Sequence, residues 1–306
     1  MRVVVTGATG VIGSHAVKAM LARGDQVIAL TRDLDRGRNA LGGRVELHAW
    51  ATPQRAPAPA DALRDADAVL HLLGEPIAQR WSADAKREIR DSRVLATRSL
   101  VAGIVSLEPE HRPRALISQS ATGYYGPRDA EPVDETAAAG TDFLAEVTEA
   151  WEREAAAAGD AGLRVVTTRT GVVLSPHGGA LEKMLPPFKL GVGGPVAGGR
   201  QYVPWIHLDD VVGAMLQCVD DDRATGAVNL TAPDPATNAE LSRALGRALH
   251  RPAVLPVPGL ALRLLYGEMA TIVLTGQRAV PARLRELGYE FRYPELEAAL
   301  RDVLDG

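Results

Sequence analysis

Gly7, Gly10 and Gly13 stand three residues apart in the segment Thr6-Gly7-Ala8-Thr9-Gly10-Val11-Ile12-Gly13. A strand-like apolar run, Val3 to Thr6, precedes them and a helical pattern from His15 to Arg23 follows. In that context each glycine has a task. Gly7 permits a tight turn, Gly10 lets backbone approach a pyrophosphate, and Gly13 lets the helix lie close on the strand. The helix start offers free N–H groups and the positive end of its dipole to an anion. With Thr9, Val11 and Ile12 completing the loop, the segment fits a dinucleotide.

A site preferring NAD usually ends its second strand with an acid that bonds the ribose 2′-hydroxyl, about 20 residues beyond the glycines. Here the place reads Thr31-Arg32-Asp33. A guanidinium at Arg32, helped by the Thr31 hydroxyl, suits a 2′-phosphate, which an acid would repel. The expected cofactor is therefore NADP(H); the competing reading leaves Arg32 solvated and gives the ribose to Asp33. The fourth strand runs into His71-Leu72-Leu73-Gly74-Glu75. Leu72, Leu73, Gly74 and Glu75 are expected along the cofactor, at the carboxyl edge where open α/β sheets bind ligands. His71 reads as a packed strand-end histidine.

Positioning such a loop requires alternating strands and helices. Strands are expected near Val3–Thr6, Val27–Thr31, Val45–His48, Ala68–Leu73, Ala115–Ser120 and Val165–Arg169, with helices between them, among them Ser82 to about Val105 and Thr141 to Ala158. The fold class is α/β, a Rossmann doubly wound parallel sheet with a smaller C-terminal α/β lobe on the substrate side. The cofactor domain is expected over 1–174. A lobe over 175–306 then begins with Gly- and Pro-rich connections, with helices at Ile206–Val219, Asn238–Leu249 and Pro294–Leu304 and a short strand at Ala227–Leu230.

The bulk numbers fit an ordinary globular protein. Of 306 residues, 46% are apolar and 24% charged, and the net charge is −4. That balance argues against a nucleic-acid partner, and no apolar run reaches the roughly 18 residues of a membrane span. A single cysteine, Cys218, excludes an internal disulfide. The expectations are a cytoplasmic protein, no metal, and a small-molecule substrate.

Four blocks together resemble the extended short-chain dehydrogenase/reductase superfamily: Thr6–Gly13, His71–Gly74, Ser118–Gly126 and Trp205–Asp210. More narrowly, Ser92-Arg93 with Thr97, Trp151-Glu152, Arg169–Leu174, Gly178–Ala180, Gly191–Pro195 and Pro204–Asp210 resemble an epimerase-like subfamily of atypical members, labelled nucleotide-sugar epimerases. The C-terminal stretch Pro256–Leu304, including Gly276-Gln277-Arg278, resembles that subfamily's own terminal segment.

The resemblance implies a serine after the fifth strand, matched by Ser120, acting with a Tyr-x-x-x-Lys pair on the next helix. That helix holds neither tyrosine nor lysine; Leu144 and Thr148 replace the pair. A leucine transfers no proton and a threonine carries no charge. Tyr124 and Tyr125, just beyond Ser120, are the candidate substitute phenols, and such a phenol needs a positive charge near it. Arg93 falls where relatives have an asparagine and is expected to reach the cofactor. Val173 is expected to contact the nicotinamide through its backbone. Trp205, His207 and Asp209 are expected to border the substrate cleft, with helix capping by Asp209 and packing of Trp205 as the alternative. Relatives often pair as homodimers through helices.

Two functions from different classes follow. One is an NADP(H)-dependent, epimerase-like oxidoreductase acting on a small polar substrate, with a nucleotide sugar as one candidate. The other is a catalytically silent protein that senses NADP(H) and regulates a partner.

Overall fold

The computed structural model describes residues 1–305. In chain order the first part comprises β1 (Arg2–Thr6), α1 (Val11–Ala22), β2 (Gln26–Thr31), α2 (Leu34–Leu41), β3 (Glu46–Ala49), α3 (Ala60–Leu63), β4 (Ala68–His71), α4 (Ala83–Val105), β5 (Ala115–Ala121), β6 (Pro132–Val133), α5 (Phe143–Ala156) and β7 (Arg164–Thr170). There follow β8 (Val172–Leu174), α6 (Gly179–Lys189), β9 (Tyr202–Val203), β10 (Trp205–His207), α7 (Leu208–Asp220), β11 (Gly226–Leu230), β12 (Ala236–Thr237) and α8 (Asn238–Ala248). The last segment holds α9 (Gly259–Tyr266), α10 (Thr271–Leu274), β13 (Arg278–Ala279), α11 (Ala282–Glu286) and α12 (Leu296–Asp305).

Seven strands form one sheet in the order β11-β7-β5-β4-β1-β2-β3, all parallel. A central parallel strand is covered on both faces, which is why β1 carries Val3-Val4-Val5 without alternation, each fully buried. On one face α1 and α7 pack through Val17, Met20, Val211 and Met215; on the other α4 and α5 pack through Leu100, Ile104 and Ala155. Helix starts are fixed by side chains: Ser82 accepts from Ala85 N at 3.1 Å, Asp142 from Ala145 N at 2.8 Å, and Thr237 forms a capping box with Glu240.

The expected α/β fold with a parallel sheet is therefore present, but its boundary is not a single point in the chain. The strand expected inside the second lobe is β11, which pairs with β7 as the sheet's edge, and α7 packs on the sheet beside α1. The chain crosses to the second lobe at β8, returns through α7 and β11, and crosses again. That lobe has its own core, in which Leu185, Phe188, Trp205, Leu245 and Leu300 meet. Helix α6 forms despite Pro186 and Pro187, in a stretch whose glycines and prolines read as connection. No helix among the described residues is long and apolar enough to cross a membrane.

His71 ties three elements together at the sheet's carboxyl edge. Its Nδ1 meets Thr6 Oγ1 at 2.7 Å and its Nε2 meets Thr97 Oγ1 at 2.9 Å, all three side chains being buried. Burial pushes the imidazole down to about 3 from its usual 6.5. The unfolded chain therefore takes up this proton first as pH falls. The contribution is complete above about pH 6.5 and is lost toward pH 3, at about 1.4 kcal/mol per unit. Urea unfolding at pH 7 and pH 5 is expected to differ by about 2 kcal/mol less in His71→Asn than in the wild type. An unchanged pH dependence would assign the acid sensitivity to other groups.

Candidate functional site

At the cofactor end the glycine loop leaves no room for side chains. Gly7 has φ +67°, and a Cβ there would lie 2.6 Å from Leu72 O. A Cβ on Gly13 would overlap Gly7 O, so α1 starts directly against the turn. Gly10 N donates to Gly7 O at 3.0 Å, and Gly10 caps α1 without a side-chain partner. The first turn of α1 holds no acid to compete for its dipole. A tight turn, close backbone and an uncapped helix start form a cradle for a pyrophosphate, and Leu72 and Leu73 continue its floor.

At the end of β2 the structure separates the roles of Arg32 and Asp33. Asp33 caps α2, accepting from Arg36 N at 3.0 Å. The Thr31 hydroxyl donates to Asp33 O at 3.0 Å, so it closes its own turn rather than pointing to a ligand as the sequence had led us to expect. Arg32 is exposed, and no ion pair with it occurs among the described residues.

The outer wall is built by the β4–α4 connection. Glu75 N donates to Ser92 Oγ at 3.0 Å, and the Arg93 guanidinium lies against Gly74, where a Cβ would come within 3.0 Å of it. Arg93 sits 5.3 Å from the Trp151 ring centroid and donates to Ile89 O at 3.0 Å. Burial pulls it down to about 10, with Glu75 opposing, so it is a cation at neutral pH with most of its donors unused by the protein.

At the reaction end, Ser120 Oγ donates to Glu152 Oε1 at 2.5 Å. Glu152 is held by Arg169 through Nε–Oε1 at 2.8 Å and Nη2–Oε2 at 2.9 Å, a paired fork with little exposure. Burial works against the Arg169 charge, but Glu152 outweighs it and holds the guanidinium above its usual range. Bonded to that fixed cation, Glu152 acts as an acceptor. Ser120 has a single proton and gives it to Glu152, so the serine turns lone pairs to other partners. Arg169 also underlies the ring of Tyr124, its Cζ 3.4 Å from the centroid.

Tyr124 and Tyr125 are sorted by this network. Tyr125, expected as a substitute phenol, is fully buried; its hydroxyl donates to Asn229 Oδ1 at 2.7 Å and accepts from Arg169 Nη1 at 3.1 Å. Burial, opposed by Arg169 and Asn229, pushes it up to about 12. It is a structural strut. Tyr124 is half-buried, and no hydrogen bond from its hydroxyl occurs among the described residues. Leu144 and Thr148 face Gly123, with Leu144 Cβ 3.5 Å and Thr148 Oγ1 3.9 Å from where its Cβ would be. The Thr148 hydroxyl donates to Leu144 O at 2.6 Å within its own helix.

Comparison with known proteins agrees with this geometry. Residues 3–230 match the NAD dependent epimerase/dehydratase family, and residues 257–303 match a domain of unknown function, DUF1731. The chain belongs to the NAD dependent epimerase/dehydratase family. It is similar to an epimerase family protein of Mycobacterium bovis, 41% identical over 300 residues, or 97% of this chain and 96% of that protein. A chloroplastic epimerase family protein SDR39U1 homolog of Arabidopsis thaliana is 38% identical over 311 residues, 99% of this chain and 87% of the relative. The human epimerase family protein SDR39U1, crystallised with NADPH, aligns over 100% of both chains with a TM-score of 0.88 and 33% identity.

Against the epimerase family pattern, three residues expected at the substrate cleft lie elsewhere. Trp205 is 1% exposed in the second-lobe core, its Nε1 donating to Asp234 O at 3.1 Å. His207 accepts from Asp209 N at 3.1 Å, stacks on Tyr293 at 3.9 Å, and lies 3.2 Å from Asp302 Oδ2 without hydrogen-bond alignment. Asp209 pairs with Arg292 at 2.8 Å. His207 and Asp209 anchor the C-terminal segment, from which Tyr293, Asp302 and Arg292 all come, while Trp205 packs within the lobe. Val173 lies on β8 beside Ile206, its side chain packed on the sheet core.

Sequence reading missed Glu152 and Arg169 as partners of Ser120, although both stand in blocks that carried the resemblance. Replacing Glu152 by Leu leaves Arg169 buried without its counter-charge. Denaturant unfolding is expected to show a loss of about 3 to 5 kcal/mol. A loss under 1 kcal/mol would mean that the pair does not hold the site.

Proposed function

We propose that this chain is an NADP(H)-binding, epimerase-like oxidoreductase that acts on a small polar substrate. The observation that carries the cofactor preference is the division of labour after β2. Asp33 is engaged as the cap of α2, while Arg32 stands exposed next to the cradle. The human relative crystallised with NADPH supports the same preference. When bound, the nicotinamide supplies or accepts hydride. The chain's own residues take the other tasks: the glycine loop and α1 start hold the pyrophosphate, Arg32 the 2′-phosphate, and Arg93 the neighbouring ribose or phosphate. Ser120 accepts a hydrogen bond from a substrate hydroxyl, and Tyr124 presents a free phenol as the acid or base.

A second reading, a silent NADP(H) sensor, is favoured by one specific feature. The positions that the resemblance gives to tyrosine and lysine hold Leu144 and Thr148, and the threonine hydroxyl is committed to Leu144 O. Transfer of label from 4-deuterated NADPH into a panel of small carbonyls and keto sugars, and from carbon-deuterated nucleotide sugars into NADP+, separates the two. Exchange that falls in Tyr124→Phe supports the enzyme, whereas NADPH binding without exchange on any member supports the sensor.

Cofactor preference is tested by titrating the protein with NADPH and NADH. NADPH is expected to bind more tightly, and Arg32→Ala to weaken NADPH by about 10- to 100-fold, the loss of one or two charge-assisted hydrogen bonds, with NADH unchanged. Equal binding of the two nucleotides by the wild type would overturn the assignment of Arg32.

A further inference from the structure

The large apolar side chains that folding leaves bare are gathered in one place. Among the described residues twelve are exposed, and nine of them fall within 190–192 and 254–273. Leu190, Val254, Leu260, Leu264 and Leu265 are each between 66% and 78% exposed. Backbone contacts join the two stretches into one strip. Cβ atoms on Gly191 and Gly194 would meet Pro252 and Leu255, Val257 N donates to Pro195 O at 2.9 Å, and a Cβ on Gly259 would meet Leu274 of α10. α9 lies on the outside of this strip. Leu260 and Leu264 stand one turn apart along it, and none of its residues is buried.

The charge around the strip has one sign. Residues 183–208 contain three Lys and Arg, residues 241–267 contain four Arg, and neither stretch holds an Asp or Glu, in a chain whose net charge is −4. Lys189, Arg251 and Arg263 are exposed, and no ion pair with them occurs among the described residues. Arg251 Nε donates to Lys189 O at 3.3 Å, which brings its chain alongside Leu190. Arg243, Arg247, His250 and Arg251 line an open hollow of about 450 Å3 that ends at Val254. Of these four, only Arg247 has a carboxylate partner among the described residues, Glu297. Bare leucines and unpaired cations therefore lie side by side.

Soluble monomers seldom gather exposed apolar side chains, because each costs free energy in water. A second copy would cover them, but an isologous contact sets two basic, acid-free faces against each other. A helix exposed along its whole length also gives a shaped protein partner no groove to fill. A fluid bilayer closes around such a helix, and anionic headgroups meet the cations beside it. We propose that α9 and the adjoining stretches 189–192 and 251–257 seat this protein on an anionic lipid surface. Leu260, Leu264 and Leu265 enter the boundary between headgroups and acyl chains, while Lys189, Arg251, Arg263 and the hollow take lipid phosphates. The attachment lies along the surface and crosses nothing, in keeping with the lack of a membrane-spanning helix among the described residues. It does not depend on the reading of the cofactor or the reaction. α9 opens the region matched by residues 257–303, which thereby gains a task besides holding the lobes together.

Co-sedimentation with phosphatidylcholine vesicles, with and without phosphatidylglycerol, at low and high salt, tests this. The wild type is expected to bind the phosphatidylglycerol vesicles about tenfold or more tighter than the neutral ones and to lose most of that gain at high salt. Leu260→Ser combined with Leu264→Ser should weaken binding by about tenfold or more, and Arg251→Gln combined with Arg263→Gln should remove the preference for anionic lipid. All four positions are exposed, so thermal unfolding of both variants should match the wild type. Leu34→Ser, at an exposed apolar position outside the strip, should bind vesicles as the wild type does. Absence of binding to either vesicle, equal binding to both, or undiminished binding by the leucine variant would each overturn the proposal. So would either rival occupant in the absence of vesicle binding. A dimer in sedimentation velocity that the leucine variant splits would assign the face to a second copy, and binding of soluble polyglutamate that the arginine variant loses would assign it to an acidic protein.

Discussion

The site hangs on one buried charge. Arg169, at the carboxyl end of β7, grips Glu152 of α5 with two nitrogens and reaches the Tyr125 hydroxyl and Glu135 O with the third. From Tyr125 the chain of bonds runs to Asn229 on β11 and from there to Val280 O, while Glu135 Oε1 accepts from Asn229 N and Arg283 N. A guanidinium is the side chain that can do this, because its five donors leave in one plane and its charge does not titrate away. Sheet, helix, catalytic-side loop and C-terminal segment therefore share one electrostatic centre. Such a network is stable only when fully satisfied, which explains why Tyr125 is engaged within it and unavailable for proton transfer.

The same centre changes what Ser120 offers. With Glu152 accepting behind it, the serine's proton points inward and its lone pairs outward, the reverse of what polarising a carbonyl requires. The site is thus suited to accept from a hydroxyl, and the positive charge that the family pattern places on the helix after β5 comes instead from the sheet, beneath Tyr124. Leu144 and Thr148 are compatible with this rearrangement because neither is asked to carry charge, and Thr148 closes its hydroxyl onto its own helix.

What the sequence revealed and what it hid follow from the range of the interactions. The glycine loop, the apolar run of β1 and the capping by Ser82 are local, and types and spacing make them readable. Glu152 with Arg169 is not: 17 residues separate them, and each alone reads as a helix or strand charge. Neighbouring tyrosines in one short turn cannot be told apart by spacing, since burial decides which becomes the strut. Trp205, His207 and Asp209 look like a ligand-facing cluster because aromatic, imidazole and carboxylate also make good ligand contacts, yet Trp205 packs in the second-lobe core and bonds Asp234 O, and the partners of His207 and Asp209, Tyr293 and Arg292, come more than 80 residues later on the C-terminal segment. β11 was legible as a strand but not as the seventh of the sheet, because a single short apolar run does not say which neighbour it joins.

The C-terminal segment is where these two ranges meet. Its helix α9 buries none of its residues, while Leu284 and Leu287 join the sheet core and Leu300 and Val303 the second-lobe core. Polar anchors add to this: Asp210, fully buried, accepts from Arg292 N at 2.7 Å, from Tyr293 N at 2.9 Å and from the Tyr289 hydroxyl at 3.1 Å, while Asn229 and Glu135 hold the stretch around Val280. Directional bonds of this kind fix a register more narrowly than apolar contact does, since a shift of one residue would leave buried acceptors unpaired. Just before these anchors lie Gln277, tied to the loop beyond Ser120, and Arg278, whose backbone pairs with Pro132 of β6. Fastened at Val280, Arg283, Tyr289, Arg292 and Tyr293, the segment keeps one register against the sheet and α7.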